Sequence, residues 1–192
     1  MVPHVSDMRT DEELMLAYCA GDKRAFRELF DRYSGMLLGM HMRGMRSQKD
    51  AGDLVQKTFL QLHRVKDSFE HGRALRPWLM TIGLNVKRQH LRTMKRRPED
   101  VLELDGRSDP AEAPYDPEVR ERREAVHQAL QKLPDKQREV IELHWLSGLP
   151  MAEVAEVLGA SKSAVKVRAH RGYEQLRQIL VKMGVTMEGG PA

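Results

Sequence analysis

The sequence predicts an all-α protein: two small helical domains joined by an acidic, proline-containing linker, the second holding a helix-turn-helix. Three observations predict it. Apolar residues recur at three- and four-residue spacing along most of the chain, and no alternating strand pattern of useful length occurs. Residues 98–118 combine Pro98, Pro110, Pro114 and Pro117 with eight acidic residues and one Arg, the composition of a linker and not of a packed element. Aromatic residues make up 5% of the 192 residues and charged ones 31%, which suits small helical domains with solvated faces better than one large core.

Each element has a local cause. Thr10 and Glu13 form a capping box that starts the first helix, and Gly21 stands where it should stop. Asp22 caps the second, whose apolar positions Ala25, Phe26, Leu29, Phe30 and Tyr33 repeat at helical spacing. A third helix spans roughly 50–64, with Leu54, Val55, Thr58, Phe59 and Leu62 on its apolar side. Pro77 marks a first helical turn, and the helix it opens runs through Trp78, Ile82 and Leu91 into a basic block. Beyond the linker, Asp116-Pro117 caps a helix to about Gln131, and Pro134 opens another that ends near Gly148. A short helix at 151–158 closes on Gly159, and Ser161 caps the last one, which runs to about Met183. The tail from Gly184 is expected to fray. The expected domains are 10–97 and 116–184, with a linker at 98–115.

Charge distribution says more than the net value of +4. Residues 86–97 hold six Lys or Arg and no acid, directly before the acidic linker. A basic block beside an acidic one predicts a nucleic-acid face and a separate electronegative segment. Cys19 is the only cysteine, so no intramolecular disulfide and no Cys₂His₂ or Cys₃His zinc site can form within one chain. The N-terminal residues lack an apolar signal region, and no run of about 18 apolar residues occurs. A cytoplasmic protein that does not insert into membranes is the expectation. No nucleophile–base pair, metal cluster or phosphate loop is visible, so no catalytic residue and no cofactor are expected, and the chain reads as a non-enzyme.

Three segments carry the functional reading. In MAEVAEVLGASKSAVKVRAHRGYEQL, Val154, Val157, Leu158 and Val165 supply an inner seam, Ala155 allows a close helix crossing, and Gly159 supplies a positive φ. The second helix is then left to present Lys162, Lys166, Arg168, His170 and Arg171 to phosphates or base edges, and Val167 to a thymine methyl. The plain alternative is a helical hairpin with a solvated basic face. In DAGDLVQKTFLQLHR, Asp50 and Asp53 complement the helix dipole and Gln56 lies on the polar face; a well-capped surface helix explains this equally. In the segment from Asp67 to Arg97, Phe69, Trp78 and Ile82 accompany Asn85 and the basic run. Apolar groups can stack on unstacked bases while cations hold the backbone; Trp78 by its position is read as core support.

Taken together, these segments resemble the small extracytoplasmic-function (ECF) group of bacterial sigma factors, from Asp11 to Arg177. DAGDLVQKTFL looks like region 2.2, RPWLMTIGLNVKRQHLR like the helix that engages the −10 element, and the stretch from Leu133 to Arg177 like region 4, which reads the −35 element. The resemblance implies core-polymerase contacts at Asp50, Asp53, Val55, Gln56 and Phe59, docking on the β′ clamp helices, and a contact of region 4 with the β flap. It implies −10 contacts at Phe69, Ile82, Asn85, Lys87, Arg88 and Arg92, with the 67–73 loop helping to hold a flipped base. It implies −35 contacts at Ser161, Lys162, Lys166, Val167, His170 and Arg171. Partners are then core RNA polymerase, promoter DNA and an anti-sigma protein. Gly52 and Lys57 depart from the resemblance where acids are usual, and His63 where an aromatic is frequent. Two other readings stand beside it: a stand-alone operator-binding regulator, and a helical nuclease holding a metal on Asp50 and Asp53, which lacks an evident third ligand.

Overall fold

In a computed structural model, residues 9–43, 45, 47–96 and 117–185 are described. The expected linker at 98–115 and the last residues of the tail lie outside them. The order is α1 (Asp11–Cys19), α2 (Lys23–Met42), α3 (Gln48–Val65), a 3₁₀ turn (Lys66–Ser68), α4 (Leu75–Arg96), α5 (Pro117–Gln131), α6 (Asp135–Ile141), a π segment (Glu142–Leu146), α7 (Met151–Leu158) and α8 (Lys162–Lys182). The chain divides into two compact units, residues 1–41 with 49–104, and residues 42–48 with 105–192. Among the described residues no helix is long and apolar enough to cross a membrane.

The first unit is assembled around α4. Thr10 and Glu13 form the expected capping box, the Glu13 N–H donating to the Thr10 hydroxyl at 3.2 Å and the Thr10 N–H to the Glu13 carboxylate at 2.7 Å. Gly21, at φ 101°, ends that helix, and the Asp22 carboxylate accepts from the Arg24 N–H at 2.8 Å to begin α2. Asp11 accepts from Arg32 and from the buried Tyr33 hydroxyl, tying α1 to α2. Glu12 accepts the N–H of Leu75 at 2.9 Å, so α1 also caps the start of α4. Pro77 lies inside the first turn of α4, where its missing N–H leaves no bond unmade. At Gly83 the packing admits no side chain: a Cβ there would stand 2.7 Å from the Met40 methyl and 2.9 Å from a Leu37 methyl. This glycine is what lets α4 lie close against α2.

The second unit is cored by Ala129, Leu130, Leu133, Ile141, Leu176 and Leu180, from α5, the turn after it, α6 and α8. Gly172 repeats the close-approach device, since a Cβ there would meet the Ile141 end methyl at 2.9 Å. Helix α6 does not run on as α-helix to Gly148 as the sequence suggests. It widens into the π segment, closed by the Ser147 N–H donating to Glu142 O and the Leu149 N–H to Leu143 O, both at 3.0 Å. His144 Nδ1 donates to Leu149 O at 2.7 Å and fixes the turn into α7.

Candidate nucleic-acid and polymerase interfaces

The helix-turn-helix is built as its residues dictate. Gly159 adopts the left-handed conformation, φ 59° and ψ 42°, which ends α7. Its N–H reaches Glu156 O at 3.1 Å, and the Ala160 N–H reaches Ala155 O at 2.9 Å. Ser161 then caps α8, its hydroxyl accepting from the Ala164 N–H at 3.2 Å. Val154, Ala155, Val157, Val165 and Ala169 are buried between the two helices, and Leu158 is half-buried at the rim.

With Val165, Ala169, Gly172 and Leu176 packed inward, and about 100° of rotation per residue, the outward direction of α8 falls almost on Val167. Val167 is 49% exposed. Lys166, His170 and Arg171 surround it, all exposed, and Ser161 and Lys162 are exposed at the helix start. Four of the six expected −35 residues thus share the outward side of α8, and the other two stand at its exposed first turn. Arg168 is half-buried on the flank. Ser163 joins the same exposed face, its hydroxyl 3.0 Å from that of Ser161, a neighbour the sequence reading missed.

The α4 residues divide differently. Asn85 and Arg92 are exposed and Arg88 is half-buried; with Gln89 and Arg96 they form one stripe opposite the packed side. Ile82 is 9% exposed at the edge of that stripe. Phe69 is 8% exposed, its ring centroid 5.1 Å from that of Trp78, so both serve as the floor of the 69–78 loop and not as free stacking groups. Lys87 departs from expectation. It is 5% exposed, and its ammonium donates to Met40 O at 3.0 Å. Met40 lies in the last turn of α2, so Lys87 is held inward against that helix end and does not face a phosphate.

Beside Lys87 lies a second buried polar group. His41 is fully buried. The Thr58 hydroxyl donates to Leu54 O at 2.7 Å, so His41 Nε2 is the donor in its 3.1 Å bond to that hydroxyl. Nδ1 then carries no proton. Burial first, and then the nearby Lys87 and His90 charges, push its pKa from 6.5 down to about 4.

On α3, Asp53 and Gln56 are exposed and Asp50 half-buried in the first turns. Val55 and Phe59 are 5% and 3% exposed. Phe59 is engaged with Phe26 and Phe30, at ring distances of 5.8 and 4.7 Å. These two expected docking residues belong to the core, because their positions share the rotation of Leu54, Thr58 and Leu62. A partner meets Asp50, Asp53 and Gln56 directly, and Val55 and Phe59 only through what they support.

The arrangement matches known families. The family model described as Sigma-70 region 2 matches residues 29–97, and that described as Sigma-70, region 4 matches residues 123–176. The chain is 36% identical over 160 residues to the RNA polymerase sigma factor CarQ of Myxococcus xanthus, across 83% of this chain and 91% of CarQ. It is 32% identical over 176 residues to the ECF RNA polymerase sigma factor SigM of Mycobacterium tuberculosis, across 90% of this chain and 85% of SigM. The solved structure of CnrH in complex with the cytosolic domain of CnrY superposes with a TM-score of 0.71 at 29% identity, covering 90% of this chain and 97% of CnrH. With its two families in this order, its all-α fold and relatives that match it along most of their length, this chain belongs to the ECF group of the sigma-70 family, the RNA polymerase sigma factors that direct promoter-specific initiation.

Proposed function

We propose a division of labour at residue level. The 10–97 domain docks core RNA polymerase through Asp50, Asp53 and Gln56 of α3, over a floor made by Val55 and Phe59, with the β′ clamp helices as receiving surface. Asn85, Arg88 and Arg92 of α4 meet the melted −10 strand. Phe69 and Ile82 wall the pocket that takes an extruded base, and Lys87 acts from within by holding α4 to α2. The 116–184 domain reads −35 duplex through Ser161, Lys162, Lys166, Val167, His170 and Arg171, and contacts the β flap. The acidic 98–115 linker connects the two.

The physics of each step is ordinary. Phosphate contacts from Lys162, Lys166, Arg88 and Arg92 position the DNA without reading it. Val167, at the centre of the α8 face, suits a thymine methyl, and Arg171 suits a guanine edge because its planar fork donates twice. Extruding a base costs a few kcal/mol, offset by the apolar wall it packs against and an amide that reads it. No bond is made or broken by this chain, so the chemistry belongs to the polymerase. Acting on that enzyme places the chain in the cytoplasm. CnrH was solved with the cytosolic domain of CnrY, and an inhibitory protein of that kind, an anti-sigma factor, is the partner we propose for control of this chain.

The observation that carries this reading is the sorting of α4. Asn85, Arg88 and Arg92 share the side away from the core, although the basic run as a sequence does not distinguish them from Lys87. The test is Asn85→Ala in reconstituted holoenzyme, scored on a panel of single-base −10 variants. Open-complex formation should fall more than duplex binding, and discrimination at one promoter position should relax. An unchanged rank order across the panel would remove Asn85 from the pocket.

A further inference from the structure

One helix holds both ends of the loop between the 3₁₀ turn and α4. At the exit, α4 begins on Leu75, and the residue before it is Ala74, which has no side-chain oxygen to cap a helix. The cap comes from α1 instead: the Glu12 carboxylate accepts the Leu75 N–H at 2.9 Å, across 63 residues of chain. At the entry, the Cys19 thiol donates to Lys66 O at 3.3 Å. The Lys66 ammonium lies 5.2 Å from the centre of the Tyr18 ring, and the Tyr18 hydroxyl is hydrogen-bonded to His63 Nδ1. Glu12 and Cys19 are two helical turns apart on α1, so they share one face and stand about 10 Å from each other along the axis.

The helix that does this is itself fixed. Leu14 and Met15 are fully buried, and Asp11 accepts from Arg32 and Tyr33 of α2. Within the loop, Phe69 packs on Trp78, the Arg73 N–H closes a turn on Glu70 O at 3.1 Å, and residues 70–74 are exposed. A cap taken from the neighbouring residue fixes only the local chain. A cap taken from another helix also fixes where the loop stands. The place of this loop therefore depends on two side chains of α1, one at each end.

We infer that α1 is the brace of the −10 loop, and that Glu12 and Cys19 are positioning residues for capture of the extruded base. Each acts through a loop end and not through the DNA. This rests on the −10 reading above and adds to it what holds the loop beside the pocket.

The test is holoenzyme binding to −10 strands carrying each single-base change, with variants in matched pairs. Glu12→Ala removes the acceptor and Glu12→Gln keeps it; Cys19→Ala removes the donor and Cys19→Ser keeps it. Glu12→Ala should reduce discrimination several-fold at the position that Asn85→Ala relaxes, and should speed hydrogen exchange of the Leu75 amide. Glu12→Gln should retain most of both. Cys19→Ala should relax the same position to a smaller degree, because a thiol is a weak donor, and Cys19→Ser should not. Binding to −35 duplex should stay at the wild-type level in all four. A uniform loss across the −10 strands with discrimination kept would make α1 merely structural and overturn the proposal. Equal relaxation in Glu12→Gln and Glu12→Ala would overturn it too, since the bond to Leu75 would not be the cause. Wild-type discrimination in both alanine variants, with Asn85→Ala relaxed, would remove the brace and spare the −10 reading. If Asn85→Ala also discriminates as wild type, the −10 reading falls and the brace with it. Thermal unfolding is the fold control; if Glu12→Ala does not fold, Cys19→Ala against Cys19→Ser decides the matter from the other end of the loop.

Discussion

Replacing Lys87 by Met separates a buried cap from a DNA contact. The structure has the Lys87 ammonium donating to Met40 O at 3.0 Å, in a residue 5% exposed. Methionine keeps much of the volume and removes the charge. The lost bond is charge-assisted and worth about 1.5–3 kcal/mol, and the Met40 carbonyl near the end of α2 loses that donor. Against this, an ammonium no longer has to be desolvated. The balance predicts a loss of about 1–2 kcal/mol, and Lys87→Ala should lose more because it adds a cavity. Urea unfolding of the full chain, followed by circular dichroism, measures this. The second readout is the salt dependence of −10 strand binding by holoenzyme. Arg92→Ala should lower the slope by about 0.7, the value for one phosphate contact to a single strand. Lys87→Met should leave it at the wild-type value. Wild-type stability together with a reduced slope would refute the burial of Lys87 and return it to the DNA face.

Three other outcomes follow from the same geometry. Ser161→Ala removes the α8 cap and should cost about 1 kcal/mol in urea unfolding, while Ser161→Asp should restore most of it. His41 stays neutral in the folded chain down to about pH 4, whereas its unfolded form takes up a proton near 6.5. Its contribution to stability is therefore constant above about pH 7 and declines as pH falls from 6.5 toward 4; the pH dependence of the urea midpoint should be shallower in His41→Gln across that window. On α8, Arg171→Ala should cost roughly 1–3 kcal/mol and relax one −35 position, while Lys166→Ala should weaken all sequences alike and lower the salt slope by about one unit. Holoenzyme binding to −35 variants at several salt concentrations distinguishes the two patterns.

Much of this protein was legible in its residues, for reasons that differ by element. The capping box at Thr10 and Glu13, the positive φ of Gly21 and Gly159, and the Ser161 cap are local chemistry, and the structure has each of them. The π segment at Glu142–Leu146 was not legible, because it answers to the packing of α6 against α8 and to the His144 bond, both set by the tertiary fold. The α8 face was read well: its apolar seam is regular, so the exposed residues follow by subtraction. The basic run of α4 was read as a block, and that hid Lys87. Rotation alone sets Lys87 about 160° from Asn85 in projection and on the side of Met80 and Gly83, a signal present in the sequence but outweighed by its neighbours' charge. Val55 and Phe59 show the same effect on α3: resemblance named the segment, and helical phase decided which of its side chains face outward.

The most direct test of the whole account is initiation itself. Core RNA polymerase would be given the purified chain and templates with randomised upstream sequences, and the RNA products sequenced. The account predicts transcripts that require the chain and start downstream of two shared sequence elements at fixed separation, with the upstream element lost in the double variant Lys166→Ala, Arg171→Ala. A chain that binds particular duplexes without polymerase and yields no initiation above core enzyme alone would contradict it.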